Sequence, residues 1–180
     1  MHTTYIALGA NIAGPAGPPQ ATLSAAVQRL GSFGRVRTRS SLYSTEPVGF
    51  ADQPRFVNAV VALETALSPR DLLGVLLDLE HEFGRDRSGA IVNGPRTLDL
   101  DILLYDGLIL DEPASPHLQI PHPRLAERAF VLVPLAEIAP NAVDPRSGAT
   151  IASLLECLRA ASPDTPEQVV RLEDEAWISG

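Results

Sequence analysis

The fold of this chain is decided by the stretch NGPRTLDLDILLYDG at residues 93–107. Successive side chains of a β-strand point to opposite faces, and this stretch alternates apolar residues with aspartates. Asp99 and Asp101 are therefore predicted to project from one face of a strand, roughly 7 Å apart. The residues predicted to pack into a core on the other face are Leu98, Leu100 and Ile102. The stretch thus predicts a half-buried strand with two carboxylates on its open face.

The elements around this strand follow the order β-α-β-β-α-β. Apolar, β-branched runs predict strands at residues 3–11, 36–45, 56–65 and 98–106. Apolar residues at helical spacing predict helices at 21–31 and 68–84, and later helical segments at 123–138 and 150–161. The run at 108–110 is predicted to pair with the strand before it through a turn at Asp106-Gly107. This order is typical of the ferredoxin-like α+β fold, a mainly antiparallel sheet with helices covering one face.

One domain is predicted over residues 1–180, because a chain of this length with 45% hydrophobic residues can bury one core. The run AGPAGPPQ predicts a flexible loop at 13–20. We expect residues 162–180 to form a C-terminal extension with a solvated acidic run. The single cysteine, Cys157, lies in an apolar helical pattern, which favours a buried thiol over a nucleophile.

The charge pattern excludes several classes of protein. The formal net charge of -8 disfavours a nucleic-acid partner, since we find no concentrated basic stripe. All 14 basic residues are arginine, which excludes Schiff-base chemistry and the phosphate-binding lysines of P-loops and protein kinases. No segment approaches the roughly 20 apolar residues that span a bilayer. We expect a cytoplasmic protein that binds neither nucleic acid nor membrane.

The two aspartates, taken with a nearby arginine, indicate metal-assisted phosphate chemistry. Adjacent carboxylates repel, and Mg²⁺ is commonly bound by one or two carboxylates together with substrate phosphates. Arg96 follows a Gly-Pro turn just before the pair, so it could reach a phosphate while Asp99 and Asp101 hold the metal. Arg85 and Arg87 lie on a loop leading to the same turn. Taken alone, an isolated D-x-D is more often the polar face of a strand, and these arginines would be surface residues.

At this point the sequence resembles the hydroxymethyl-dihydropterin pyrophosphokinase family. The stretch GPRTLDLDI at 94–102 matches the signature of that family. Further blocks occur in the same order and spacing, namely TEPVG at 45–49, DQPRFVNAVVALET at 52–65, LEHEFGR at 79–85 and IPHPRLAERAFVLVPLAEIAP at 120–140. The resemblance covers residues 3–145. It implies a ferredoxin-like enzyme that transfers the terminal diphosphate of ATP to the hydroxymethyl group of a reduced pterin and releases AMP.

The resemblance also implies a nucleotide site with two Mg²⁺ ions. Asp99 and Asp101 would hold both metals, and Arg85 and Arg96 would steady the phosphates as catalytic residues. The residues implied in ATP binding are Glu80, Arg85, Arg96, Ile102, His122 and Arg128, with Arg124 as a further cation. From the residues alone, His122 could equally be a loop histidine with satisfied hydrogen bonds, and Glu80 a solvated carboxylate on a helix.

The resemblance places a pterin site between two aromatic rings. Phe56 and Phe130 would stack on the bicycle, while the amide of Asn58 would bind its donor and acceptor edge. The loop residues implied alongside them are Thr45, Pro47 and Val48. Without the resemblance, both phenylalanines would be assigned to the core. Asn58, by contrast, is a polar residue in an otherwise apolar strand, which by itself favours a ligand-binding role.

Two other classes of function stay open from the residues alone. A nucleotidyltransferase also uses D-x-D with two metals, but it normally carries a Gly-Ser turn where this chain has Gly-Pro-Arg. A ligand-binding domain without catalysis would leave Arg96, Asp99 and Asp101 unexplained as a group. The chain departs from familiar family members at Leu77, Asn93 and Pro123, and no general base is evident. We expect a monomer whose partners are the small-molecule substrates.

Overall fold

The structure is a computed structural model that describes residues 1–47, 49, 52–86, 94–162, 168–174 and 177. The strands are β1 (His2–Ala10), β2 (Arg35–Arg39), β3 (Leu42–Thr45), β4 (Phe56–Thr65), β5 (Asp99–Tyr105), β6 (Leu110–Glu112), β7 (Leu118–Ile120) and β8 (Val170–Leu172). The α-helices are α1 (Pro19–Leu30), α2 (Pro69–Glu82), α3 (Ala129–Ile138) and α4 (Ile151–Ala161). A 3₁₀ turn at Leu125–Glu127 precedes α3. No helix in the described ranges is both long and apolar enough to cross a bilayer.

The main sheet has the strand order β5-β1-β4-β3-β8, and β2 also pairs with β4. All of these pairings are antiparallel. In this order β1 lies between β5 and β4, and β4 lies between β1 and the strands β2 and β3. The ferredoxin-like arrangement requires this order. The predicted α+β fold class is confirmed. The pairing also brings the end of β1 beside the start of β5, with Gly9 opposite Asp99.

Helices cover both faces of the sheet, whereas the sequence predicted helices on one face. On one face α1 and α2 pack on a core that includes Leu8, Leu100 and Ile102. On the other face α3 and α4 pack on a second apolar cluster that includes Val60 and Leu104. The reason is that β4 and β5 carry apolar residues on both faces along much of their length, so both faces need cover. The two carboxylates lie at the open end of β5.

The strand predicted at 36–45 is two strands. Ser40 interrupts it, because the hydroxyl of Ser40 rather than a strand carbonyl accepts the hydrogen bond of the Val60 N–H group, at 3.0 Å. The next N–H group, that of Ser41, donates to the carboxylate of Glu137 on α3 at 2.8 Å. The ladder resumes at β3, which pairs with the first residues of β4.

The predicted pairing of residues 108–110 with the preceding strand is wrong. Leu110 belongs to β6, which pairs with β7 in a separate hairpin. The turn after β5 is tight, since Asp106 has a positive φ of 46° and its carboxylate accepts a hydrogen bond from the Thr3 N–H group. The chain therefore leaves the sheet at this point, and Ile109 is exposed.

Two loop and helix predictions also differ from the structure. Helix α1 begins at Pro19, so the last two residues of the predicted loop 13–20 are helical, and Gly14 and Gly17 exchange two backbone hydrogen bonds of 3.0 Å. Cys157 is exposed and not buried, because α4 packs through its Ile151 side and Cys157 lies on the solvent side.

Candidate active site

A cleft of about 310 Å³ opens where the end of β1 meets the starts of β4 and β5. Its walls come from four separate parts of the chain. The lining residues are Gly9, Thr45, Phe56, Asn58, Arg85, Arg96, Asp99, Asp101, His122, Arg124, Arg128 and Phe130. Ten of the residues predicted for the metal, nucleotide and pterin sites therefore meet in one cavity. We call Arg85, Arg96, Asp99 and Asp101 the charged wall, and Thr45, Phe56, Asn58 and Phe130 the aromatic wall.

Asp99 is held by two arginines. The guanidinium group of Arg85 donates to one carboxylate oxygen, and that of Arg96 donates to the other at 2.7 Å. Burial acts to raise the pKa of Asp99, but the two cations outweigh burial and hold the pKa below its ordinary value. Asp99 is therefore ionised at neutral pH, and both arginines point into the cleft.

Asp101 is the more exposed carboxylate, with 40% of its side chain accessible. Burial, and next the negative charge of Asp99, raise the pKa of Asp101 to about 6. The nearest cation is Arg128, whose Nη1 lies 3.8 Å from a carboxylate oxygen. The pair of carboxylates is thus under-neutralised on the Asp101 side, where the cleft is open.

Glu80 is buried and does not line the cleft. One of its carboxylate oxygens accepts hydrogen bonds from the Leu100 N–H group at 2.8 Å and from Arg85 at 2.6 Å. The solvated alternative for this residue is wrong, since only 1% of it is exposed. Glu80 instead ties helix α2 to β5 and fixes the guanidinium group that contacts Asp99.

His122 reaches the cleft as a neutral imidazole. Burial, with the charges of Arg128 and Arg124, lowers the pKa of His122 to about 4. Its Nδ1 accepts a hydrogen bond from the Arg124 N–H group at 3.1 Å, which leaves the proton on Nε2. Nε2 lies 3.8 Å from a carboxylate oxygen of Asp101 and can donate to an anion in the cleft.

The aromatic wall lines the same cleft as the charged wall, and the two meet where Arg96 lies over Phe56. Both phenylalanine rings are half-buried, and each carries an arginine over its face, Arg96 at 5.7 Å from the Phe56 centroid and Arg128 at 5.5 Å from the Phe130 centroid. These contacts place one side of each ring at the cleft, while Phe130 also packs against the apolar cluster under α3 and α4. An aromatic bicycle could stack on either ring.

Asn58 is a buried polar residue of the aromatic wall. Its Nδ2 donates to the hydroxyl of Thr45 at 2.7 Å. A Cβ atom at Gly9 would lie 2.9 Å from the Oδ1 atom of Asn58, so only glycine leaves this amide in place. Gly9 is a cleft residue that the sequence analysis missed, and the pairing of β1 with β4, which places it opposite Asn58, was needed to find it.

Asn11 is a second missed residue, and it connects the two walls. Its Oδ1 accepts from the Arg96 N–H group at 2.8 Å, while Nδ2 donates to Gln53 and to the carbonyl of Pro54, at 2.9 and 3.0 Å. The residues after Pro54 lead directly to Phe56. A single buried amide thus joins the backbone of Arg96 to the loop before the aromatic wall.

Ile102 lines a second cavity of about 180 Å³ that shares Asp101 and His122 with the cleft. The other lining residues are Leu73, Leu100, His117, Leu118, Gln119 and Pro123. Pro47 does not line the cleft. Val48, Arg87 and Asn93 lie outside the described residues, so their predicted places are not described.

The fold and the cleft define a class, a ferredoxin-like α+β domain whose cavity combines carboxylates, arginines and aromatic rings. A family model described as 7,8-dihydro-6-hydroxymethylpterin-pyrophosphokinase (HPPK) matches residues 5–140. The chain therefore belongs to the HPPK family, and it is a pyrophosphokinase.

Named relatives and solved structures agree with this assignment. A 2-amino-4-hydroxy-6-hydroxymethyldihydropteridine pyrophosphokinase from Pseudomonas aeruginosa is 50% identical over 141 residues, which are 78% of this chain and 83% of the relative. The Bacillus subtilis enzyme of the same name is 44% identical over 136 residues, covering 74% and 76%. A crystal structure of wild-type Plasmodium falciparum HPPK-DHPS aligns with a TM-score of 0.71 at 15% identity. It covers 94% of this chain but only 44% of that chain, and it supports the fold.

Proposed function

We propose that the cleft carries out the family reaction with Mg²⁺, and that its two walls bind the two substrates. The reaction is transfer of diphosphate from ATP to the hydroxymethyl group of 6-hydroxymethyl-7,8-dihydropterin, in folate biosynthesis. A bond forms between the hydroxymethyl oxygen and the β-phosphorus, the bond from that phosphorus to the oxygen bridging to the α-phosphorus breaks, and AMP leaves. The observation that carries the assignment is that one cavity holds both an under-neutralised carboxylate pair and two accessible aromatic rings.

Asp99 and Asp101 fit a divalent cation by their chemistry. Both offer carboxylate oxygens, and the raised pKa of Asp101 reflects burial and a repulsion that a cation would relieve. In the described ranges no cluster of three or more His, Cys, Asp or Glu residues is found that could hold a metal, so the other ligands would be phosphate oxygens and water. Mg²⁺ bound there would neutralise phosphate charge during transfer, and two ions are expected.

Arg85 and Arg96 would exchange Asp99 for the phosphates of ATP. In the structure both guanidinium groups pair with Asp99. Once a cation occupies the carboxylates, the arginines are freed to bind a triphosphate as bidentate donors. Arg128 and the Nε2–H group of neutral His122 each lie 3.8 Å from the same carboxylate oxygen of Asp101 and would complete the phosphate site. Ile102 would contribute to nucleotide binding from the adjoining cavity.

The aromatic wall would bind the pterin. Phe56 and Phe130 would stack on its two faces, and the Asn58 amide, fixed by Thr45 and by the absence of a side chain at Gly9, would bind its edge. The family resemblance adds Pro47, which follows β3 but does not line the cleft in this structure, and Val48 to the residues proposed for this site. Because Thr45, Phe56 and Asn58 lie on paired strands and Phe130 lies on α3, which packs on the same sheet, we propose that the wall exists before substrates bind.

The test is to incubate the purified chain with ATP, Mg²⁺ and 6-hydroxymethyl-7,8-dihydropterin and to identify the nucleotide product by chromatography. We expect AMP, formed only when both pterin and metal are present. Formation of ADP would indicate an ordinary kinase, and release of pyrophosphate a nucleotidyltransferase. Absence of both turnover and Mg²⁺-dependent ATP binding would contradict the proposal. A monomeric state and a cytoplasmic location stay predictions, which size-exclusion chromatography and cell fractionation can test.

A further inference from the structure

The C-terminal part of the chain lies beyond the region that the family model matches, yet it is fixed to the sheet. Strand β8 pairs with β3, placing Leu172 opposite Leu42 and Val170 opposite Ser44. Trp177 is 2% exposed and packs in the core layer beneath α1 and α2. We call residues 168–174 together with Trp177 the C-terminal clasp. The predicted solvated extension is thus in part a component of the sheet and core.

Trp177 holds the point where β3 begins. Its Nε1 donates to the carbonyl oxygen of Ser40 at 2.7 Å, in the break between β2 and β3. The guanidinium group of Arg39 lies 5.1 Å from the centroid of the indole. The backbone N–H group of Trp177 donates to the carboxylate of Asp174 at 3.0 Å. Without the indole, the Ser40 carbonyl would lose its buried partner and the core would contain a cavity.

The clasp also contacts the residues next to the aromatic wall. Arg55 donates to the carbonyl of Gln168 at 3.3 Å and to the hydroxyl of Ser44 at 2.8 Å. Arg55 immediately precedes Phe56, and Ser44 immediately precedes Thr45. The clasp is therefore connected to the positions that immediately precede Thr45 and Phe56 of the aromatic wall. The charged wall is built differently, from β5 and the contacts of Arg85 and Arg96.

We propose that the C-terminal clasp is a positioning element for the pterin half of the cleft. The proposal rests on the function proposed above. The clasp sets the backbone of β3 and the start of β4, so that Thr45 and Phe56 are held at the distance the bicycle requires. Trp177 acts through β3 and touches no substrate. Its loss moves the aromatic wall and leaves the ATP half unchanged.

The experiment compares Trp177→Ala with Leu30→Ala in the full chain. Leu30 is fully buried in the same core layer and lies at the end of α1 far from the cleft, so its truncation lowers the melting temperature without touching β3. For Trp177→Ala we expect KM for the pterin to rise about tenfold, since small misplacements of binding groups are costly, while KM for ATP changes less than about twofold. Trp177→Phe, which refills most of the cavity, should recover most of the pterin affinity. Leu30→Ala should leave both KM values near those of the parent chain.

A second variant decides the matter if Trp177→Ala does not fold. Arg55 is 42% exposed, so Arg55→Ala creates no core cavity, and it should raise KM for the pterin in the same direction. In the double variant Arg55→Ala with Trp177→Phe, the loss of free energy of pterin binding should be smaller than the sum of the losses in the two single variants. The reason is that both substitutions act through the C-terminal clasp. A pterin KM that moves no more than it does in Leu30→Ala, or that moves together with KM for ATP, would overturn the inference. Failure of the parent chain to form AMP would instead overturn the proposed function.

Discussion

The charged wall and the aromatic wall line the same cleft but are held in different ways. The charged wall depends on ion pairs among its own members, with Arg85 and Arg96 both bound to Asp99. The aromatic wall depends on strand pairing and the buried bond from Asn58 to Thr45, and on the packing of α3, which carries Phe130. Ion pairs can be exchanged for ligand phosphates, whereas a strand ladder is preformed. With the substrates assigned as proposed, the difference predicts that rearrangement on binding occurs on the ATP side and that the pterin side supplies shape.

The largest expected effect is on the charged wall. Asp101→Ala should lower kcat by about a thousandfold or more, since it removes a proposed ligand of the ion that stabilises charge in the transition state. The fold should persist, because Asp101 is 40% exposed at the end of β5. The measurements are AMP formation under saturating substrates and the circular dichroism spectrum.

Asp78→Ala is the matched control, since Asp78 is an exposed carboxylate on α2 and lines neither cavity. It should behave like the parent chain. The metal assignment would be wrong if Asp101→Ala retained full turnover. It would also be wrong if neither Asp101→Ala nor Asp78→Ala needed Mg²⁺ to bind ATP.

The second effect is on the aromatic wall. Phe130→Ala should weaken pterin binding by about tenfold to a hundredfold, because a stacked ring and its buried area are worth about 1–3 kcal/mol. Binding of ATP should change by less than about twofold. Isothermal titration calorimetry with each substrate measures both affinities. Phe33→Ala, at a ring packed on the core, serves as control. An equal loss of both affinities in Phe130→Ala would assign Phe130 to the core instead.

The third effect falls on both walls. Asn11→Ala removes the amide that joins the Arg96 backbone to the loop before Phe56, and it should raise KM for both substrates by about threefold to tenfold, since each lost buried hydrogen bond costs about 1 kcal/mol. Thr4→Val removes a buried hydrogen bond from β1, the strand that precedes Asn11, without touching the cleft, and it should alter stability only. A change confined to one substrate would show that Asn11 does not join the walls.

The sequence predicted the residues that line the cleft better than the residues that hold them in position. The alternation around Asp99 and Asp101 follows from strand geometry, and Asn58 is anomalous within its own strand, whereas the roles of Phe56 and Phe130 were predicted only from the family resemblance. Asn11 has partners 42 and 85 residues away, and no local pattern encodes such pairs. The same holds for Trp177, whose partner Ser40 is 137 residues distant. The charged and polar residues of the cleft carry a local signal, whereas the residues that hold them in place are identified only by tertiary contacts.

The smallest expected effect concerns the support of the aromatic wall. The Tyr43 hydroxyl on β3 donates to Glu137 of α3 at 3.0 Å, and burial, followed by that hydrogen bond and the charge of Glu137, raises the pKa of Tyr43 to about 12. Between pH 10 and 12 the unfolded chain loses this proton while the folded chain keeps it, so stability must fall as pH rises. A shift of this size corresponds to about 2–3 kcal/mol by pH 12, as an upper bound.

The absence of lysine makes the measurement between pH 10 and 12 informative, and the other tyrosines, Tyr5 and Tyr105, also have a pKa that burial raises. Urea unfolding at pH 9 and pH 11 should show a smaller loss of stability for Tyr43→Phe than for the parent chain. Tyr105→Phe is the comparison variant, since Tyr105 lies at the far end of β5 from the cleft. Equal pH dependence in Tyr43→Phe and the parent chain would show that the contact with Glu137 does not stabilise β3. At pH 7 the KM values of Tyr43→Phe should stay close to those of the parent chain, because the clasp and the bond from Asn58 to Thr45 still hold the aromatic wall.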